Sequence, residues 1–205
     1  MIGTTHDRHD VCALLLAGGQ GRRMGGQDKG LLNLGGYPLV IHALEKIRSQ
    51  VTEILLSANR NHALYRSWGF SVIADEEDYL GAGPLSGLHT GLTHATSSLI
   101  LSLPCDSPFF PDTLLPRLSQ ALSTQDAEIA FPVSGGCSHH AFLLCRTHLK
   151  DSLKKYLDGG QHRVLGWVKT HRHVAVSFPN SEDFFNVNTP DELAKAEIHY
   201  DEISR

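Results

Sequence analysis

The sequence predicts an α/β domain of three layers, with a mostly parallel sheet between two layers of helices. Three observations carry that prediction. Through residue 125, short apolar runs alternate with amphipathic stretches in the order β-α-β-α-β-α-β-α. The runs are almost uniformly apolar, as strands covered on both faces must be. The connections are short, and no repeat, low-complexity tract or linker divides the chain, so 11–205 reads as a single domain with halves 11–125 and 126–205.

Residues 11–17 form an apolar run that ends at Gly18 and Gly19, a buried strand passing into a loop. Polar and glycine residues continue to Gly36. Pro38 then opens a helix in which Leu39, Ile41, Leu44 and Ile47 mix with His42 and Glu45. Residues 53–58 are the second strand, 63–68 a short helix and 70–74 the third strand. The acidic, glycine-bearing stretch 75–83 is a loop. Residues 85–95 form a helix despite Gly87 and Gly91, which are expected where it packs closely on another element. The fourth strand, 98–103, is stopped by Pro104-Cys105-Asp106-Ser107-Pro108, and 111–122 is helical. Beyond it, 127–133 and 141–146 read as strands around a Ser-Gly-Gly turn and 149–157 as a helix. Residues 174–178 and 184–188 read as short strands, and 190–198 as the last helix.

The chain of 205 residues is 41% hydrophobic and carries 19 glycines, enough for an ordinary core without staples. A net charge of −4 argues against a surface given over to nucleic acid or membrane, while leaving room for a small basic pocket. No window approaches the length of a membrane span. Residues 1–10 are polar and lack an apolar h-region, so they read as a disordered tail and not as a signal peptide. Cys12, Cys105, Cys137 and Cys145 form no CxxC pair, and the reading is a reducing, cytoplasmic setting. The 13 histidines are scattered, and His171-x-His173 has no obvious third ligand, so they read as solvated or core-paired.

The most informative stretch runs from Leu14 to Gly30, LLLAGGQGRRMGGQDKG. Five of the nine residues from Gly18 to Gly26 are glycine, interleaved with Arg22 and Arg23 and followed by Lys29. Glycine lets backbone N–H groups approach an anion closely, and clustered cations offset a triphosphate. The spacing is not that of a P-loop, because Lys29 precedes Gly30 and no serine or threonine follows it. Nor is it GxGxxG: counted from Gly19 the sixth residue is Met24, and counted from Gly21 the third is Arg23.

Asp106 follows the fourth strand, where open α/β sheets bind ligands. A carboxylate there, beside a phosphate cradle, suits Mg²⁺, though an aspartate before Pro108 also suits a turn or cap. Asp75 ends the third strand in the same way, and Ser57 and Asn59 end the second. Asn186 and Asn188 lie two apart and share one face of the strand read over 184–188. Their amides can meet a metal-bound water, a phosphate or a polar ring, while Asn188 or Thr189 can equally cap the helix begun by Pro190.

Leu-Ala-Gly-Gly, Arg-Arg-Met-Gly-Gly and Asp-Lys-Gly-Leu-Leu, with Pro-Cys-Asp-Ser-Pro and Asn-Val-Asn-Thr-Pro further on, closely resemble the molybdenum cofactor guanylyltransferases. The resemblance covers most of the chain. It implies a Rossmann-like sheet of the GT-A nucleotidyltransferase type, with GTP bound in the first half and the acceptor in the second. The activity it implies is Mg²⁺-dependent transfer of GMP from GTP to molybdenum-molybdopterin, with release of pyrophosphate. Catalytic roles would fall to Arg23, Lys29, Asp106, Asn186 and Asn188, with Asp106 holding the metal. Nucleotide contacts would come from Leu16, Ala17, Gly18, Gly19, Gly21, Arg22, Lys29, Ser57, Asn59, Asp75 and Asp106. Related cytidylyltransferases have Leu-Ala-Ala-Gly, and a missing methyl at Gly18 makes room for a purine. Asparagine stands at the Ser57 position in some family members, while Asn59 and Arg60 match better. Arg163, in Gly-Gly-Gln-His-Arg-Val, would serve the pterin phosphate or merely follow a helix cap, and His139 is carried over without the family's adjoining proline. The same resemblance implies transient contact with proteins that deliver the cofactor or receive the product. A cytidylyl- or sugar-1-phosphate nucleotidyltransferase of the same fold, and a non-catalytic GTP-binding or cofactor-carrier module, are the alternatives.

Overall fold

The computed structural model describes residues 9–19 and 26–203. Its sheet is assembled from β1 (His9–Leu16), β4 (Val51–Ser57), β5 (Ser71–Ile73), β6 (Leu99–Pro104), β7 (Ile129–Ser134), β8 (Cys137–Ser138), β9 (Leu143–Arg146) and β10 (His173–Ser177). A separate hairpin joins β2 (Asn33–Leu34) to β3 (Tyr37–Pro38). The helices are α1 (Leu39–Ile47), α2 (His62–Ser67), α3 (Pro84–His94), α4 (Leu114–Thr124), α5 (Lys150–Asp158), α6 (Val164–Val168) and α7 (Pro190–Ile203). Across the sheet the order is β10-β7-β9-β6-β1-β4-β5, with β8 beside β7. Pairing is parallel from β6 through β1 and β4 to β5, and between β7 and β10. β9 runs antiparallel to both β6 and β7 and so joins the two halves of the chain in one sheet.

β1 shows why a continuous apolar run was required. Val11, Ala13 and Leu15 face one core, Cys12 and Leu14 the other, and all five are fully buried. α1 and α4 cover the first face through Val40, Ala43, Ile47, Leu115 and Leu118. α3, α5 and α6 cover the second through Leu85, Leu88, Leu153 and Trp167. This is the three-layer arrangement that the alternation predicts. Gly87 and Gly91 do mark a close approach. A Cβ at Gly91 would stand 2.5 Å from Leu14 Cδ2, and one at Gly87 would stand 2.8 Å from both Leu16 Cδ2 and Ser57 Oγ.

Several expectations are corrected. Residues 184–188 are not a strand: Glu182–Phe184 is a 3-10 turn and Phe185 to Asn188 joins no sheet. The Val187 N–H donates instead to the Asp106 carbonyl at 2.8 Å, and its side chain is buried with Leu34, Leu39 and Ala196. A loop-to-loop bond has taken the place of a ladder. α4 begins at Leu114, after a turn in which the Leu114 N–H donates to the Pro111 carbonyl at 2.9 Å. α7 extends to Ile203. His9 and Asp10 belong to β1, where the Asp10 carboxylate accepts from the Ser98 N–H at 3.1 Å, and residues 1–8 lie outside the described residues. Among the described residues no helix is long and apolar enough to cross a membrane.

Replacing an exposed helical glycine by a larger residue commonly stabilises a helix, so Gly91 supplies a test of sign. Gly91→Val should destabilise the protein by about 2 kcal/mol through the clash with Leu14 and Ile100, read as a lower urea midpoint at unchanged slope.

Candidate active site

The floor of the site is set by register. Leu16, Ser57 and Pro104 stand side by side at the carboxyl ends of β1, β4 and β6. One further rung follows: Ala17 N–H donates to Ser57 O at 2.8 Å, Ala58 N–H to Ile73 O at 3.0 Å and Cys105 N–H to Leu16 O at 3.2 Å. The chain leaves these fixed points in diverging directions, because β1 has β4 on one side and β6 on the other. The crevice at such a reversal is where open α/β sheets bind ligands. Here it is a cleft of about 960 Å³, lined by Leu16, Gly18, Gly19, Ser57, Asn59, Asp75, Asp106 and Asn186 among others.

One corner is built around Asp75. Its Oδ1 accepts from Ser57 Oγ at 3.2 Å and its Oδ2 from Asn59 Nδ2 at 2.9 Å, while its own N–H donates to Asn59 Oδ1 at 3.0 Å. A Cβ at Gly18 would lie 3.1 Å from Asn59 Nδ2 and 3.8 Å from Asp75 Oδ2, so an added methyl would fill this corner. A carboxylate held this way can accept further N–H donors.

The opposite corner is charged. Lys29 Nζ donates to Asp106 Oδ2 at 2.9 Å and to Asn188 Oδ1 at 2.5 Å. Asn186 Oδ1 accepts from Ser107 Oγ. Asn186 and Asn188 therefore reach the same side without strand pairing, since the buried Val187 between them fixes the alternation. Thr189, and not Asn188, caps α7: its Oγ1 accepts from the Glu192 N–H at 3.2 Å, and Glu192 Oε2 accepts from the Asn188 N–H at 2.8 Å. That leaves the Asn188 side chain for Lys29. Cys105, next to Asp106, is buried; burial first and the Asp106 charge second push its thiol well above the ordinary cysteine range, so it remains neutral packing.

Asp28, absent from the sequence-based candidates, anchors Lys29. It is 6% exposed, and its Oδ1 accepts from Tyr65 Oη at 2.9 Å and from the Gly30 N–H at 3.1 Å. Its Oδ2 accepts from Asn61 Nδ2 at 2.9 Å and lies 3.8 Å from Arg60 Nε. Burial, and then the Asp28 charge, raise the Tyr65 hydroxyl, which stays a neutral donor. An Asp two residues before a glycine is a legible turn signal; Tyr65 is too distant in sequence to have been found, and Arg60, matched to the family beside Asn59, had no link to Asp28 in the sequence. The loop wall of Leu80, Gly81, Gly83 and Pro84, with Pro104 and Ala141, also escaped notice. Tyr79, beside that wall, is tied to α5 by its hydroxyl donating to Asp158 Oδ1 at 2.5 Å.

Other candidates stand apart. Gly21, Arg22 and Arg23 lie outside the described residues. Ala17 is buried behind the cleft. Arg163 is exposed, precedes α6 and does not line the cleft, while Gly159 and Gly160 close α5, as the helix-cap reading requires. The His139 ring stacks on Phe184 at 4.5 Å and pairs with Ser134 Oγ at 2.7 Å; burial lowers its pKa, so the ring is neutral at pH 7. Among the described residues no group of three or more His, Cys, Asp or Glu could hold a metal. Asp106 and the two asparagines offer hard oxygen donors without a cage, which fits Mg²⁺, an ion that keeps waters and takes phosphate oxygens.

A family model described as the MobA-like NTP transferase domain matches residues 13–174. This chain belongs to that family. The match spans the cleft floor, the Asp75 corner, Lys29 and Asp106, and stops short of Asn186 and Asn188. Among curated MobA-like relatives, the molybdenum cofactor guanylyltransferase of Cupriavidus metallidurans is 43% identical over 192 residues, covering 91% of this chain and 94% of its own. That of Shewanella baltica is 41% identical over 183 residues, covering 89% and 93%. The fold is shared with molybdopterin-guanine dinucleotide biosynthesis protein A of Archaeoglobus fulgidus, at 22% identity and a TM-score of 0.77, with 93% and 99% of the two chains covered. It is shared also with 2-C-methyl-D-erythritol 4-phosphate cytidylyltransferase of Thermus thermophilus, at 17% identity and a TM-score of 0.69, covering 92% and 98%.

Tyr65→Phe should leave the buried Asp28 carboxylate one donor short. The expected loss is about 1–3 kcal/mol of stability, measured by urea unfolding; an unchanged midpoint would remove Tyr65 from the anchor.

Proposed function

We propose that this protein transfers GMP from GTP to molybdenum-molybdopterin, forming molybdopterin guanine dinucleotide and pyrophosphate. The observation that carries the proposal is the meeting of Lys29 with Asn188 and with Asp106, which lines the crevice beside β1 together with Asp75. The names of the 41–43% identical relatives point to the same reaction.

A phosphate oxygen of the acceptor attacks the α-phosphorus of GTP. The bond from that phosphorus to the bridging oxygen breaks, and pyrophosphate leaves with its electron pair. An acceptor phosphate is already anionic near neutral pH, so alignment and charge stabilisation supply most of the catalysis. The guanine edge sits by Asp75, Asn59 and Ser57, with Gly18 leaving room for it. The rim at Gly19, together with Gly21, Arg22 and Arg23, carries the phosphates. Lys29 stabilises negative charge at the reacting phosphate, and Asn186 and Asn188 orient the acceptor. Asp106 would hold Mg²⁺, which offsets negative charge on the α-phosphate. The four cysteines are free, which suits the cytoplasm, where proteins that supply the cofactor and receive the product would meet this enzyme.

Two measurements test this reading. Calorimetric titration with GTP and Mg²⁺, followed by turnover with molybdopterin, should show pyrophosphate release with GTP and far less with CTP, ATP or UTP. Binding without release would favour a carrier module, and a preference for CTP would favour a cytidylyltransferase. Lys29→Ala and Asp106→Ala should each lower turnover by about 10²-fold or more while the protein stays folded; full activity in either variant removes that residue from the reaction. Gly18→Ala should raise the KM for GTP by about tenfold, because the added methyl crowds Asn59 and the base.

A further inference from the structure

Leu80, Gly81, Gly83 and Pro84 form a wall of the cleft that the sheet does not hold. Among the described residues, the backbone hydrogen bonds of residues 76–82 close within the segment itself. The Tyr79 N–H donates to the Glu76 carbonyl at 3.0 Å, the Leu80 N–H to the Glu77 carbonyl at 3.3 Å and the Ala82 N–H to the Tyr79 carbonyl at 3.0 Å. Gly81 and Gly83 have φ of +85° and +76°, so the wall is built on the residue with the widest conformational choice. Tyr79 reaches out of the segment. Its buried ring meets His89 of α3 edge-on, with centroids 5.2 Å apart. Its hydroxyl donates to Asp158 Oδ1 at 2.5 Å and accepts from Lys154 Nζ at 3.1 Å, both on α5. Glu76 Oε1 lies 3.3 Å from His89 Nδ1, but that nitrogen makes no hydrogen bond.

We propose that Tyr79 and Asp158 are positioning residues for GTP, a pin that holds the 80–84 wall against α5. The inference rests on the GTP reading of this cleft. Neither residue lines the cleft, so their effect on a nucleotide passes through the wall. Two features of α5 support the pin. Asp158 is the exposed last residue of that helix, where the helix dipole disfavours a carboxylate. Lys154 and Asp158 stand at i and i+4 with the cation first, the less favourable order for such a pair. The stability of α5 alone thus gives little reason for an acid at 158, whereas the Tyr79 hydroxyl gives one. A hydrogen bond to a charged acceptor is roughly twice as strong as a neutral one. Lys154 Nζ, 2.9 Å from Asp158 Oδ2, fixes the carboxylate in place. A wall set beforehand spares its ordering cost when a ligand binds.

In the full chain, Tyr79→Phe keeps the ring and removes the hydroxyl, while Asp158→Ala removes its acceptor from an exposed position. Each should raise the calorimetric Kd for GTP with Mg²⁺, and the KM for GTP, by about fivefold, the worth of one hydrogen bond. The KM for the acceptor should hold. Amide exchange over residues 79–83 without nucleotide should speed up by about fivefold in both variants. The double variant should lose no more than either single one, because both remove the same bond. Asp158→Asn, which keeps an acceptor oxygen, should recover part of the loss, and the Tm of Asp158→Ala should hold or rise. Unchanged exchange, unchanged GTP affinity, or losses that add in the double variant would overturn the pin. Equal losses for both substrates with a lower Tm would overturn it too, in favour of a purely structural contact. Wild-type protein that binds no GTP would sink the proposed function instead, and the exchange result would still decide whether Tyr79 and Asp158 hold the wall.

Discussion

Everything at the site depends on three parallel strands that end level with one another. Leu16, Ser57 and Pro104 are register partners, and the order of strands reverses beside β1. The segments that follow β1 and β6 must therefore part, leaving a crevice that the sheet itself cannot fill. How deep that crevice is depends on α3. Gly87 brings the helix against Leu16 and Ser57, and Gly91 brings it against Leu14. A side chain at either position would push the helix off the sheet and change the wall of the cleft.

The carboxylates near this crevice divide by what surrounds them. Asp28 is buried, accepts hydrogen bonds from three residues and pairs with the Arg60 charge, so it serves as an anchor. Asp75 and Asp106 face the cleft. Asp75 is held by Ser57 and Asn59 on its own side of the sheet, whereas Asp106 is paired with Lys29. Lys29 also reaches Asn188, so one ammonium ties the start of the chain to its last segment. That segment is locked independently by the Val187 N–H on the Asp106 carbonyl and by the buried Val187 side chain. The site is thus closed by the tertiary docking of a non-sheet segment, a feature with no periodicity of its own.

The charged corner and the Asp75 corner stand on different strand ends, and this division matches the two tasks of a nucleotidyltransferase. One side presents a carboxylate with its two amide and hydroxyl donors, and the other gathers an ammonium, a carboxylate and amide oxygens. The second half of the chain contributes Ala141, just before β9, whose antiparallel pairing with β6 holds it at the cleft, and Asn186, held there by the Val187 N–H on the Asp106 carbonyl.

The sequence by itself determined the alternating layers, the end of β1 before Gly18 and Gly19, the glycines of α3 and the polar residues at the strand ends. Each is a local pattern: apolar runs, glycine where contact is close, carboxylates where strands stop. It read 184–188 as a strand because alternating apolar and polar residues look alike whether the backbone pairs with a sheet or with the Asp106 carbonyl. Only the tertiary structure decided that pairing, the capping of α7 by Thr189 in place of Asn188, and the roles of Asp28, Tyr65 and Arg60. Those depend on which distant donors meet a buried acceptor, and residue order along the chain does not encode that distance.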